Sequence, residues 1–164
     1  MHARALLPVV VYSTINANTA TVLGGNLELN SFPVVTIDNS IIANGTAPAN
    51  PDMRTGAANV TMNYSLIKDP TGATFAGANN ITGVDPQLGA LANNGGPTLT
   101  HLPALTSPVL NAGNLAFVAP PSTDQRGFAR VVGGRIDMGS VELNGGTLQF
   151  SAATFPVNVK PAAA

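Results

Sequence analysis

Six charged side chains crowd one stretch of a chain in which charge is otherwise scarce. Asp124, Arg126, Arg130, Arg135, Asp137 and Glu142 all fall within 19 residues. Two chemistries suit them. In the first, Asp124 or Asp137 pairs with an arginine, whose planar guanidinium matches a carboxylate, and the pair pins a loop. In the second, Asp124 and Asp137, with Asp85 contributing, offer oxygens to a small cation such as Ca2+, and backbone carbonyls complete the roughly six to eight ligands that ion takes. A metal held there polarises an ester or lactone carbonyl as a Lewis acid, with His101 as the candidate general base. An N-acyl-homoserine lactone suits an apolar groove beside such a cation, although no residue selects it over other esters. The spacing matches neither an EF-hand loop nor a zinc signature. His101 equally reads as a packed or capping histidine.

Other chemistries find less support. No Gly-x-Ser-x-Gly elbow occurs, and the only histidines are His2 and His101, so a serine-hydrolase triad lacks its usual setting. Glycoside cleavage needs two carboxyls about 5–9.5 Å apart. Aligning Ser13, Ser40 and Ser65 puts Val11, Asp38 and Asn63 in one column, and Ala17, Asn44 and Asp69 in another. Each column holds one carboxylate without a partner. Glu28 and Asp52 lie outside this register. Asn44-Gly45-Thr46, Asn59-Val60-Thr61 and Asn63-Tyr64-Ser65 are sequons by pattern in an Asn/Thr-rich chain, and the glycine pairs read as turns rather than a phosphate loop.

The elements that must position these groups follow from composition and spacing. The chain has 164 residues, no Cys, 17 Gly, 13 Pro and 9% charged residues, against about 25% charge in ordinary soluble domains. A surface of Asn, Thr, Ser and Gly is implied, and helical bundles are excluded for want of Glu, Lys, Arg and Leu. A net charge of −1 with scattered basic residues leaves no footprint for nucleic acid. No run approaches the ~18 apolar residues of a membrane span. The apolar stretch Ala5–Val11 is interrupted by Pro8 and reads as a buried strand rather than a signal peptide.

Residues 1–82 read as short strands between Asn and Gly turns: Ser13–Ile15, Asn26–Leu29, Val34–Ile37, Ser40–Ile42, Val60–Met62 and Ser65–Ile67. The Ser-x-Ile pattern recurs at about 27 and 25 residues, with Thr19-Ala20 matching Thr46-Ala47. Such periods mean stacked supersecondary units, and short strands at this spacing suit a parallel β-helix; a β-sandwich is the alternative. Asn suits its corners because it tolerates left-handed backbone. Beyond Thr82, turn clusters at Asp85–Gly89 and Asn93–Pro97, an apolar stretch Leu99–Leu110 and a strand-like Gly134–Gly139 read as a cap that wraps the end of the stack and hides its open edge.

Several motifs in this half carry a resemblance. Asp85-Pro86-Gln87-Leu88-Gly89-Ala90-Leu91, Asn94-Gly95-Gly96-Pro97-Thr98-Leu99-Thr100-His101, Ser107-Pro108-Val109-Leu110-Asn111-Ala112-Gly113, Thr123-Asp124-Gln125-Arg126-Gly127-Phe128-Ala129-Arg130 and Asp137-Met138-Gly139-Ser140-Val141-Glu142 fall in one order. Together they resemble the C-terminal end of bacterial right-handed parallel β-helix proteins of the choice-of-anchor Q type, over roughly residues 12–142. The resemblance implies a fold, a secreted or cell-surface location and a piece of a larger protein; it carries over no catalytic residue. The tail Gly146–Val159 is similar to the first strand of a Calx-β domain, cut off before it could fold.

The expectation is therefore an all-β chain, a short right-handed parallel β-helix of two to three coils over residues 1–82. A C-terminal cap over 83–142 and a truncated Calx-β-like strand and tail over 143–164 follow it. Its function is that of a structural or adhesion-type segment of a secreted bacterial surface protein, with flat Thr and Asn faces for glycan. The alternative is a small Ca2+-dependent hydrolase of a lactone, ester or glycan. Upstream β-helix coils of a larger protein, or a second copy, are the expected partners at the uncovered N-terminal end, with no nucleic acid and no membrane span.

Overall fold

The serines that mark the repeat are the hinges of the structure. In the computed structural model, which describes residues 8–117 and 119–143, each of them closes a sharp corner. The hydroxyls of Ser13, Ser40 and Ser65 donate to the carbonyls of Val11, Asp38 and Asn63, each two residues back. In turn the Ser13 N–H donates to Ser40 Oγ at 3.2 Å and the Ser40 N–H to Ser65 Oγ at 3.0 Å. The residue before each serine (Tyr12, Asn39 and Tyr64) has positive φ. Asn was the expected corner residue, yet Tyr12, Ala17 and Tyr64 take the same conformation as Asn39 and Asn44. The hydrogen-bonded serine that follows Tyr12, Asn39 and Tyr64 compensates the strained backbone at those three corners, whereas Ala17 and Asn44 precede no serine.

Strands flank these corners. They are β1 (Val9–Val11), β2 (Thr14–Asn16), β3 (Leu27–Glu28), β4 (Val34–Asp38), β5 (Ile41–Ala43), β6 (Met53–Arg54), β7 (Asn59–Asn63), β8 (Leu66–Ile67), β9 (Ile81–Thr82), β10 (Leu88–Ala92) and β11 (Thr100–Pro103). Three sheets are parallel, ordered β1-β4-β7, β2-β5-β8-β9 and β3-β6, and β10-β11 is an antiparallel hairpin. Register follows the repeat: Val11 pairs with Asp38 and Asp38 with Asn63, while Thr14 pairs with Ile41 and Ile41 with Leu66. Thr19 bridges Thr46, as their matching positions imply. The fold is all-β, with mostly parallel sheets and no helix among the described residues.

Two apolar clusters result from period-two alternation. Val35 and Ile37 of β4, Val60 and Met62 of β7, Ile42, Ile67, Leu29 and Met53 are buried together. Ile41, Ala43 and Leu66 point to the opposite face of β2-β5-β8-β9, where Val109 and Met138 cover them. That sheet is buried on both faces, so β5 reads as an unbroken apolar run, whereas β4 and β7 alternate.

Several expectations change here. From the residues beyond 83, Val109 and Met138 pack on Ile41, Ala43 and Leu66. Gly134–Gly139 forms no strand; one antiparallel bridge joins Val132 to Arg135, because Gly133, Gly134 and Gly139 all have positive φ. Strand β1, expected to be buried, packs Val10 on the core but leaves Val9 59% exposed, since alternate residues of a strand point to opposite faces. Residues 144–164, which hold nearly all of the Calx-β-like tail, lie outside the described residues, as do residues 1–7 of the apolar N-terminal stretch.

Gly45 shows how closely the corners approach. Its N–H donates to Asp52 Oδ1 at 2.7 Å, and a Cβ there would run into the Pro51 carbonyl and lie 2.8 Å from Asn26 Nδ2. Backbone cannot yield as a flexible side chain does. Gly45→Ala is expected to cost about 1–3 kcal/mol, read as a lower midpoint in a denaturant titration; an unchanged midpoint would show that the corner relaxes freely.

Candidate functional site

The charged stretch folds into a buried knot beside β2. Asp124 receives five hydrogen bonds. Its Oδ1 accepts from the N–H groups of Arg126 (2.8 Å) and Phe128 (3.1 Å). Its Oδ2 accepts from Arg126 Nε (3.0 Å), Arg126 Nη2 (2.8 Å) and the Glu142 N–H (3.0 Å). Burial pushes the Asp124 pKa up, but the Glu142 N–H and the Arg126 contacts outweigh it, and the carboxyl ends below its ordinary range. The expected fork is therefore lopsided, with both guanidinium contacts on Oδ2, because backbone N–H groups already hold Oδ1. Arg126 Nη2 also donates to the Glu142 carbonyl at 2.6 Å, and its guanidinium lies over the Phe128 ring, 4.8 Å from the centroid.

Asp137 and Glu142 are buried, and neither makes a direct ion pair among the described residues. Asp137 Oδ1 accepts from the Asn111 N–H at 2.6 Å and Oδ2 from the Leu143 N–H at 2.7 Å. Glu142 Oε2 accepts from the Asp137 N–H at 2.9 Å and Oε1 from the Val132 N–H at 3.3 Å. Desolvation dominates both: it raises the Asp137 pKa, and it pushes Glu142 up to about 7. Arg135 donates to the carbonyls of Gly113 (2.6 Å) and Ala112 (3.0 Å).

The aspartates proposed for cation chemistry are thus already held by hydrogen-bond donors. Asp124 and Asp137 present their oxygens to N–H donors, which a cation would have to displace. Asp85 lies apart on the surface, paired to Lys68 Nζ at 2.7 Å and accepting from the Gln87 N–H. The Lys68 hydrogen bond and then the Gln87 N–H hold its carboxyl below the ordinary range. Among the described residues no three His, Asp or Glu side chains converge as a metal site requires. The carboxylates that fell outside the serine register are also placed. Glu28 pairs with Arg54 across β3 and β6 at 3.0 Å. The buried carboxylate of Asp52 accepts from Asn26 Nδ2 and the N–H groups of Gly45 and Asp69. Asp38 meets an amide in its own column, Asn63 Nδ2, at 2.9 Å.

His101 sits on β11, half-buried, with Nδ1 2.8 Å from the Gly89 carbonyl and Nε2 3.2 Å from Asn16 Nδ2. The carbonyl can only accept, so Nδ1 carries the proton and Nε2 accepts from Asn16. This is an oriented imidazole whose basic nitrogen faces an amide. It lines a cleft of about 350 Å³ with Asn16, Asn18, Leu91, Leu99 and Gln125. A second cleft of about 410 Å³ lies between Tyr12–Thr14 and Thr123–Gln125, with Arg130 in its wall. Thr14, Gln125 and Ser140 belong to both, so the two form one seam along β2. Gln125 and Ser140 stood in the sequence only as members of longer motifs and Tyr12 and Asn16 not at all as site residues, because the seam is assembled through contacts such as Ser140 N–H to Thr14 Oγ1, 126 residues apart.

No family model, curated protein or solved structure matches the chain.

Proposed function

We propose that the chain is a structural, adhesion-type segment of a secreted bacterial surface protein that contacts glycan without cleaving it. In this reading the three parallel sheets are the faces of a short right-handed parallel β-helix of two to three coils, and residues 83–142 act as its C-terminal cap. One observation carries it. The chain runs through the sheets in a repeating order, β1-β2-β3, β4-β5-β6, β7-β8, and each return pairs parallel and in register with the strand before. Parallel crossovers within one sheet are right-handed in about 98% of cases, which supports the handedness. A charge-poor, cysteine-free, Asn- and Thr-rich composition supports a surface location, and the polar seam along β2 supports contact with hydroxyl-rich ligands. The test is retention on a panel of immobilised neutral and acidic glycans, with the bound sugar recovered intact. Retention of none of them would sink the reading.

A second reading, a calcium-assisted hydrolase of a lactone or ester, draws on the oriented His101 at the cleft wall, since a base held by a carbonyl is one element of general-base catalysis. Calcium titration with a generic lactone and a generic ester separates the two. The structural reading expects no hydrolysis at any calcium concentration. Calcium-dependent turnover that falls about 100-fold or more in His101→Ala, the loss typical of a general base, would instead establish the hydrolase.

A further inference from the structure

Arg130 is the one buried side chain whose bonding the fold leaves incomplete among the described residues. It is 1% exposed, its Nη2 donates to the Gly139 carbonyl at 2.6 Å, and its Nε has no hydrogen-bond partner. Its guanidinium carbon lies 5.0 Å from the Tyr12 ring centroid. No ion pair involves it among the described residues. A buried cation with that little compensation is costly, and such groups are ordinarily paired. The nearby carboxylates are committed elsewhere: Asp124 to Arg126 and three backbone N–H groups, Asp137 to the N–H groups of Asn111 and Leu143, Glu142 to those of Asp137 and Val132. They act on Arg130 through their field, not through a shared hydrogen bond.

This arginine stands in the wall of the 410 Å³ cleft, a volume inside the range of about 300–1,000 Å³ usual for small-molecule sites. The rest of the wall combines residues suited to a polyol, the hydroxyl-bearing Tyr12, Ser13, Thr14, Thr123 and Ser140 and the amide of Gln125, with apolar Val11 and Pro121 and with Asp124. The Asp124 carboxylate is already held by Arg126 and three backbone N–H groups. The adjoining cleft continues past Asn16 and Asn18, which leaves room for a neighbouring sugar ring. We infer that the cleft binds a uronate-bearing saccharide, with Arg130 opposite the carboxylate and the hydroxyl and amide side chains opposite the ring hydroxyls. The inference rests on the glycan reading above and names the acidic sugar as its ligand class.

Calorimetric titration of the full chain with glucuronate, glucose and acetate tests it. Glucuronate is expected to bind at least tenfold more tightly than either glucose, which lacks the charge, or acetate, which lacks the ring. Arg130→Gln is expected to remove that preference. Because a buried arginine is a hazardous place to mutate, Thr123→Phe serves as the second variant. Thr123 is exposed at the cleft wall, so a bulky ring there should block binding at least tenfold and leave the melting temperature unchanged. Equal affinity for glucose and glucuronate overturns the role of Arg130. Equal affinity for acetate and glucuronate overturns the saccharide. Binding that survives in Thr123→Phe overturns the location, and no binding of glucuronate overturns the inference as a whole. Retention of neutral glycans in that last case would leave the broader glycan reading standing, so the two failures are distinguishable.

Discussion

Arg126→Ala is expected to lower the melting temperature by roughly 10 °C. The Arg126 and Asp124 side chains are 8% and 0% exposed, and their pairing closes the knot at three points: the Asp124 carboxylate, the Glu142 carbonyl and the Phe128 ring. Truncating the arginine strands a buried carboxylate. Breaking a buried pair in this way costs about 3–5 kcal/mol, and each kcal/mol shifts the midpoint by roughly 2–4 °C at this chain length. Three backbone N–H groups still hold Asp124 afterwards, which places the effect towards the lower end. Differential scanning calorimetry of the two proteins measures it. A midpoint within 2 °C of the parent, in the same units, would show that those N–H groups alone compensate the charge.

Stability is expected to fall as pH rises from about 4.5 to above 7, and Glu142→Gln should flatten most of that slope. Desolvation raises the folded Glu142 carboxyl from 4.5 to about 7. An acid whose pKa is raised on folding stabilises fully when protonated, below its unfolded pKa, and that contribution is lost as pH climbs through the folded value. The gap corresponds to about 3 kcal/mol. Asp137, raised by the same desolvation, pulls in the same direction and accounts for the slope that remains. Asp124 works oppositely: its lowered pKa gives stability that is present above 3.8 and lost as pH falls further. Chemical denaturation at intervals between pH 4 and pH 8.5 reads the balance. An identical slope in Glu142→Gln would assign the titration to another group. Gln at this position also exchanges one acceptor oxygen for a donor, so the test reads the slope and not the absolute stability.

Much of the strand pattern was legible because it rests on local rules. Alternation in Val34–Ile37 and Val60–Met62 exposes one face per strand, and the recurring serine sets a register that backbone hydrogen bonding must honour. Strand β6 escaped notice because Met53-Arg54 is two residues long and has no period to detect. The hairpin β10-β11 was hidden by Gly89 and by an exposed face that leaves Leu91 56% open to solvent, so its apolar letters do not mark a buried side.

The candidate site was legible only as a list of letters. Asp124, Arg126, Arg130, Asp137 and Glu142 stand out by rarity, and rarity says nothing about which carboxylate meets which arginine. Asp124 and Asp137 look interchangeable in the chain. In the structure one is drawn down by five donors, while the other is raised by burial between two N–H groups. His101 looked like a base or a cap, and Asn16, 85 residues away, decides what its Nε2 faces.

The chain by itself determined that this is a β protein with a repeat of 25–27 residues, few charges and one charged stretch at 124–142, because side-chain period and turn chemistry act over a few neighbouring residues. Tertiary structure alone decided which charges are compensated and where the clefts lie. Desolvation and hydrogen-bond satisfaction belong to a residue's surroundings, and those are assembled from segments as distant as Thr14 and Ser140.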